Sequence, residues 1–146
     1  MLIRNIFIFM TLFSTMAYAE PTPSVVGTWK LVSMERHQCL SPNGFLIYSA
    51  EGYMSVSINC MKSGDDNKLT LDPSKAIFYA GTYVLHDHTM THHIINANTM
   101  EFFGKDIDRA FAFETENKIV FSGKTPSGEV SRLVWERVVS KQNSHL

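Results

Sequence analysis

The chain has 146 residues with 13 Lys and Arg, 14 Asp and Glu, and a formal net charge of -1. No stretch concentrates Lys and Arg, which argues against nucleic acid or an anionic membrane surface as a partner, because both are bound through clustered basic side chains. A domain of this size can bury a full hydrophobic core without a metal ion, so its stability does not require the histidines.

The N-terminal segment has the pattern of a secretory signal peptide. Arg4 precedes an apolar run at 6–16, and Ala17-Tyr18-Ala19 forms a small-residue cleavage motif. We therefore predict a signal peptide at 1–19 and one domain at 20–146. The domain is expected to be exported, either periplasmic or secreted, and not to insert into a membrane after cleavage.

The rest of the chain consists of short segments separated by turn residues. Several segments alternate apolar and polar side chains with a period of two, as half-buried strands do, and Met54, Val56 and Ile58 share one face in this way. We predict eight strands, at 28–35, 45–48, 53–59, 81–86, 90–96, 107–113, 118–122 and 129–138.

One segment looks helical, at 72–79, with Asp72 as the N-cap and Pro73 at the first helical position. Pro-Asn-Gly at 42–44 is a turn signal. Short strands joined mainly by tight turns favour an all-β fold, an antiparallel up-and-down β-barrel of about eight strands with one short helix. A β-sandwich is the alternative, but its Greek-key connections need longer crossings than the single long break at 61–80.

The two cysteines, Cys39 and Cys60, are predicted to form a disulfide, because an exported protein folds under oxidising conditions. Folding the predicted hairpin about its turn at 49–52 brings Cys60 beside the residues that precede Asn43. Two independent free thiols are the alternative.

Short motifs spread over the chain resemble those of a known family. The first strand carries Gly27-Thr28-Trp29, a G-x-W pattern, and the last strand closes with Leu133-Val134-Trp135-Glu136-Arg137. Between them stand, in order, GFLIY at 44–48, GYMSV at 52–56, AGTY at 80–83, THHI at 91–94, and Arg109 ahead of an aromatic strand. In order and spacing they resemble the lipocalin-like domain family of small bacterial and fungal proteins.

This resemblance implies a barrel of about eight strands around a cavity that can hold one small ligand. It implies no established reaction. It also implies structural roles for two residues: Trp29 would close one end of the barrel, and Arg137 would pack over its indole ring.

Four of the six histidines lie in the eight residues from His86 to His93, with Asp87 among them. This cluster could be a metal site, an acid/base centre or a solvated hairpin. Strand alternation directs His86 and His93 outward, places His88 at the turn and leaves His92 facing the cavity. A zinc site needs three or four converging ligands, so we predict no metal site here.

Two polar residues interrupt the apolar faces that are predicted to point inward. His92 is either a buried histidine satisfied by a hydroxyl such as that of Tyr83, or a group that orients a ligand. Arg109 projects into the same interior, where an unpaired charge is costly, so it either pairs with an acid such as Glu35 or binds an anionic ligand. Leu85 is also predicted to face the cavity.

The predicted function is binding of a small, mainly apolar or amphipathic molecule inside the barrel, without a cofactor. The residues expected to contact it are Tyr83, His92, Arg109, Met54, Val56, Met90 and Phe111. Methionine would let the walls adapt to the ligand, although ordinary core packing explains the same residues. The alternatives are a cofactor-free isomerase, cyclase or hydrolase that uses His92 as general acid or base, and a filled structural barrel.

Overall fold

The computed structural model describes residues 23–35, 39–64, 66 and 68–139, and the predicted signal peptide lies outside these residues. The described residues form one short 3-10 helix, Pro73–Lys75, and nine strands. The strands are β1 (Gly27–Glu35), β2 (Leu40–Tyr48), β3 (Tyr53–Ser63), β4 (Leu69–Leu71), β5 (Ile77–His86), β6 (Thr89–Ala97), β7 (Asp106–Thr115), β8 (Lys118–Lys124) and β9 (Val130–Arg137).

Eight of these strands close into an antiparallel barrel. The order around the barrel is β1, β2, β3, β5, β6, β7, β8 and β9, and β9 pairs back with β1. The short strand β4 pairs only with the end of β3. The predicted up-and-down β-barrel is therefore confirmed, and a sandwich of two separate sheets is excluded. Among the described residues there is no helix with the length and apolar character needed to cross a membrane.

The core fills the barrel interior, because every second side chain of a strand points inward. Trp29, Leu46, Ile58, Met90 and Ile119 are each at most 2% exposed. Their outward neighbours along the strands are partly or fully exposed. The period-two alternation in the sequence thus correctly predicts which face of these strands points inward.

Two glycines allow the backbones of neighbouring strands to approach closely. A Cβ at Gly81 would lie 1.9 Å from the carbonyl oxygen of His93, and a Cβ at Gly44 would lie 2.2 Å from that of Ser57. The register between β5 and β6 also shifts between Ala80 and Gly81. Such glycines let a strand bend sharply, which a small barrel needs in order to close.

The helix predicted at 72–79 is wrong beyond its first turn. Asp72 does cap the 3-10 helix, and its side chain accepts a hydrogen bond from the amide of Ser74. Ile77 and Tyr79, however, belong to β5 and are buried, while Phe78 between them is more exposed. A β-branched residue and two aromatics in alternation pack better on a strand than on a helix.

The turn predicted at 42–44 is also wrong, because these residues lie within β2. The backbone deviates here without reversing: the register between β2 and β3 shifts between Leu40 and Asn43, and Ser41 has φ of 40°. Proline is compatible with such an irregularity in a strand. The break predicted at 61–80 likewise contains more structure than expected, namely the end of β3, β4 and the start of β5.

The predicted disulfide between Cys39 and Cys60 is confirmed, with the two Cα atoms 5.0 Å apart. We call the end of the barrel near this bond the Cys39 end, and the opposite end, where Trp29 pairs with Arg137, the Trp29 end. The disulfide links the residues just before β2 to β3.

Candidate ligand site in the barrel interior

The Trp29 end is closed by residues 23–26, which precede β1. The Trp29 indole is fully buried, and its Nε1 donates a hydrogen bond of 2.8 Å to the carbonyl oxygen of Val25. The guanidinium carbon of Arg137 lies 4.1 Å from the centroid of the Trp29 ring. Arg137 also donates to the carbonyl oxygens of Ser24 and Val26, which ties this segment over the end of the barrel.

A chain of polar side chains crosses the apolar interior. His92 is 3% exposed and lies between two tyrosines: Nε2 is 2.7 Å from the hydroxyl of Tyr48, and Nδ1 is 3.3 Å from the hydroxyl of Tyr79. Neutral imidazole has one donor and one acceptor nitrogen, so it donates to one tyrosine and accepts from the other. The prediction that the Tyr83 hydroxyl satisfies His92 is therefore wrong. Tyr83 donates its hydrogen bond to the carbonyl oxygen of Ser49 instead.

Burial keeps the side chains of Tyr48, His92 and Tyr79 uncharged at neutral pH. Desolvation, helped by the positive charge of Arg109, lowers the pKa of His92 to about 3. Desolvation also raises the pKa of Tyr79, and it raises the pKa of Tyr48 well above its usual value. Imidazole and phenols therefore stay neutral, and Arg109 brings the positive charge to this group.

Arg109 lies on β7 and is 6% exposed. Its Nη1 donates a hydrogen bond of 2.9 Å to the carbonyl oxygen of Lys124, and its positive charge partly offsets the rise that burial causes in the pKa of Tyr79. The proposed partner Glu35 is wrong: Glu35 and Arg132 are paired across β1 and β9, and their side chains form an ion pair of 3.3 Å there. Because Glu35 lies on the outside of the barrel, it does not neutralise the charge of Arg109 in the interior.

A cavity of about 40 Å³ lies beside this polar chain. Its walls are mainly apolar, and its polar lining comes from β2, β5, β6, β7, the residue after β8 and the start of β9. The lining residues are Met34, Leu46, Tyr48, Val56, Ile58, Ile77, Tyr79, His92, Phe102, Arg109, Phe121, Thr125, Ser131, Leu133 and Trp135.

The predicted contact residues divide into three groups. His92, Arg109 and Val56 line the cavity together. Met54 and Met90 are buried in the core and line no part of it. The remaining two, Tyr83 and Phe111, line a hollow at the Trp29 end.

That hollow, of about 520 Å³, is lined by the start of the described chain, the end of β5, the following turn and β7. Leu85 belongs to this hollow and is 45% exposed, so its predicted position in the interior is wrong. Leu85 pairs with Met90 next to the turn, and the end of β5 from Val84 to His86 is exposed on both faces. His86 and His88 are exposed at the same turn.

Sequence reasoning missed the four polar residues that share the cavity with His92 and Arg109, which are Tyr48, Tyr79, Thr125 and Ser131. Tyr48 had a usable signal, because it ends a strand on the same face as Leu46. Tyr79 was hidden by the incorrect helix. Thr125 and Ser131 lie in or beside a turn segment, where serine and threonine usually signal solvent exposure.

The comparisons with known proteins agree with this barrel. The family model for the lipocalin-like domain matches residues 26–138. The chain belongs to the lipocalin-like domain family. No curated protein matches the chain.

Two solved structures are similar to this lipocalin-like domain. One is a redesigned β-barrel with 14% identity and a TM-score of 0.50, over 78% of this chain and 91% of that one. The other is a de novo designed fluorescence-activating β-barrel with 9% identity and a TM-score of 0.47, over 77% of this chain and 93% of that one. At such low identity the first of these supports the fold alone.

Proposed function

We propose that this lipocalin-like domain is an exported binding protein that takes up a small, mainly apolar molecule inside the barrel. The observation that carries the proposal is the cavity itself, whose mainly apolar walls are interrupted by the polar side chains of His92, Tyr79 and Arg109. Apolar walls with a few convergent polar groups are the usual form of a small-molecule site. The family supports ligand binding in general terms, and the Cys39–Cys60 disulfide is consistent with export.

The size of the cavity limits what can bind. A volume of about 40 Å³ is enough for one or a few water-sized groups, whereas drug-sized ligands occupy roughly 300–1,000 Å³. A longer molecule must displace side chains at the Cys39 end, where Met34 and Leu133 line the cavity and are only partly buried. Methionine adapts readily because it is unbranched and flexible. We infer that the ligand enters there.

Binding is favoured over catalysis by the state of His92. Both of its ring nitrogens lie within hydrogen-bonding distance of a tyrosine hydroxyl. A general acid or base must reach the proton that it transfers, so His92 would first have to give up one of these partners. Its low pKa also makes it a poor base near neutral pH.

The test is to purify the protein from its natural compartment and examine it by native mass spectrometry, before and after organic extraction. A bound molecule of defined mass, lost on extraction, is expected. Rebinding of that molecule should change the fluorescence emission of Trp135, which lines the cavity. Leu133→Trp should block rebinding, whereas Leu69→Trp, at an exposed position on β4, should not.

A bare mass in every preparation, together with no fluorescence response to octanoate or 1-octanol, would contradict the proposal. It would mean that the barrel is filled by its own side chains. Circular dichroism of both tryptophan variants checks that the blocking substitution acts on the cavity and not on the fold.

A further inference from the structure

The Arg109 guanidinium is a buried positive charge without a carboxylate partner among the described residues. None of the ion pairs in the described ranges includes it, and the hydrogen bond that it donates goes to the carbonyl oxygen of Lys124. Taking a charge out of water is costly unless an opposite charge compensates it. The interior therefore favours the entry of one negative charge.

A second donor lies in the same cavity. Ser131 is 4% exposed, lines the cavity with Arg109, and its hydroxyl has no hydrogen-bond partner among the described residues. A buried hydroxyl usually has a partner, so its absence points to a group supplied from outside the protein. The neighbouring Thr125 hydroxyl, by contrast, is already engaged by Ser127 and by the amide of Glu129.

The backbone around Arg109 also leaves room for the guanidinium. Gly123, on the adjacent strand β8, would place a Cβ 3.2 Å from Nη1 of Arg109 and 2.9 Å from the carbonyl oxygen of Asp108. A side chain at this position would therefore press on the guanidinium. The space left by Gly123 admits the guanidinium, and the hydrogen bond to Lys124 holds it at the cavity wall.

We propose that Arg109 and Ser131 form a head-group site for the carboxylate of a small aliphatic acid, whose chain lies along Met34 and Leu133 toward the Cys39 end. This rests on the proposed binding function. A carboxylate matches the planar donor fork of arginine and carries a single charge. A phosphate dianion would bring two charges to one cation, because the neutral His92 supplies no second one.

The experiment compares octanoate with 1-octanol, which have the same chain length and differ in the head group. Affinities are measured by calorimetry at pH 7.5 for the wild type and for Arg109→Met, Ser131→Ala and the control Arg132→Met. Arg132 is a surface residue that pairs with Glu35 and Glu114. Wild type should bind octanoate about tenfold or more tightly than octanol, as expected for charge-assisted hydrogen bonds.

Arg109→Met should lose that preference while it keeps the affinity for octanol, Ser131→Ala should lose part of it, and Arg132→Met should keep it. Equal binding of octanoate and octanol by the wild type would overturn the head-group site and leave the binding function intact, since water alone would then solvate Arg109. If neither molecule binds, the head-group site fails, and the binding function fails with it only if native mass spectrometry also finds no bound molecule.

A spectroscopic readout covers the case in which Arg109→Met folds poorly. The carboxyl carbon of ¹³C-labelled octanoate reports its own titration in the NMR spectrum. In complex with the wild-type protein its pKa should lie below the value of free octanoate, because the guanidinium favours the charged form. An unchanged or raised pKa in the complex would contradict the site.

Discussion

The hydroxyl oxygen of Tyr48 and Nε2 of His92 are 2.7 Å apart, and both residues are buried although they are 44 positions apart in the chain. The contact joins β2 to β6 across the interior, because these strands are not neighbours in the barrel. Burial in this largely apolar core keeps the imidazole neutral. The cost of charging this imidazole makes the stability of the barrel depend on pH.

We expect the free energy of unfolding to fall as the pH decreases from about 6.5 toward 3. The pKa of His92 is about 3 in the folded state, against roughly 6.5 in the unfolded chain, so only the unfolded state takes up this proton between those values. The loss between pH 7 and pH 5 should be about 2 kcal/mol. Urea unfolding at the two pH values measures it.

Substituted proteins separate this contribution from those of other groups. His92→Gln keeps a hydrogen-bonding side chain but cannot titrate, so the difference between pH 7 and pH 5 should largely disappear. His88→Gln, at the exposed turn, should keep it. The same pH dependence in wild type and His92→Gln would show that His92 does not carry the effect.

Removal of the disulfide should destabilise the domain. Cys39 and Cys60 are 21 positions apart, and crosslinking a loop of this length stabilises a fold by about 3 kcal/mol. We expect the double variant Cys39→Ser and Cys60→Ser to unfold at correspondingly lower denaturant concentration. Wild type under reducing conditions should match it, and a double variant as stable as the oxidised wild type would contradict the prediction.

Arg137→Met should destabilise the Trp29 end by about 2–3 kcal/mol. The substitution removes the cation from the face of Trp29 and the hydrogen bonds to the carbonyl oxygens of Ser24 and Val26. The matched control is Arg132→Met, which breaks exposed ion pairs and should cost about 1 kcal/mol or less. Thermal unfolding compares the two, and equal losses would mean that the closure of this end adds little.

Gly81→Ala should cost about 3 kcal/mol or more, or prevent folding. The added methyl group would lie 1.9 Å from the carbonyl oxygen of His93, which belongs to rigid backbone. Gly104→Ala is the control, since a Cβ there meets no atom within 4 Å and only the positive φ of 68° opposes it. That control should cost about 1 kcal/mol. Similar losses for both would show that β5 and β6 can separate to admit the methyl group.

Much of the fold could be predicted because strand faces are a local property. Period-two alternation on β3 and β7 placed the inward residues correctly, as Val56 and Arg109 illustrate. The helix at 72–79 failed for a local reason too, since a proline and a good N-cap initiate both a single turn and a long helix. How far such a turn continues depends on what the following residues pack against.

The candidate site was only half predictable. His92 and Arg109 stood out because each interrupts an apolar face, and this needs no partner to be known. Their partners did not follow from the sequence. The register between β5 and β6 pairs His92 with Tyr83, yet the Tyr83 hydroxyl donates to the carbonyl oxygen of Ser49, and the hydroxyl of Tyr79 reaches His92 instead.

The sequence by itself determined the all-β class, most of the inward faces, the disulfide and the two polar residues His92 and Arg109 of the interior. These follow from residue type and short-range spacing. Only the tertiary structure decided that Tyr48 joins His92, that Glu35 lies outside with Arg132, and that Ser131 shares a small cavity with Arg109. The physical reason is that barrel closure brings distant strands together, and contacts across the interior depend on strand register and on which end of the barrel each residue occupies.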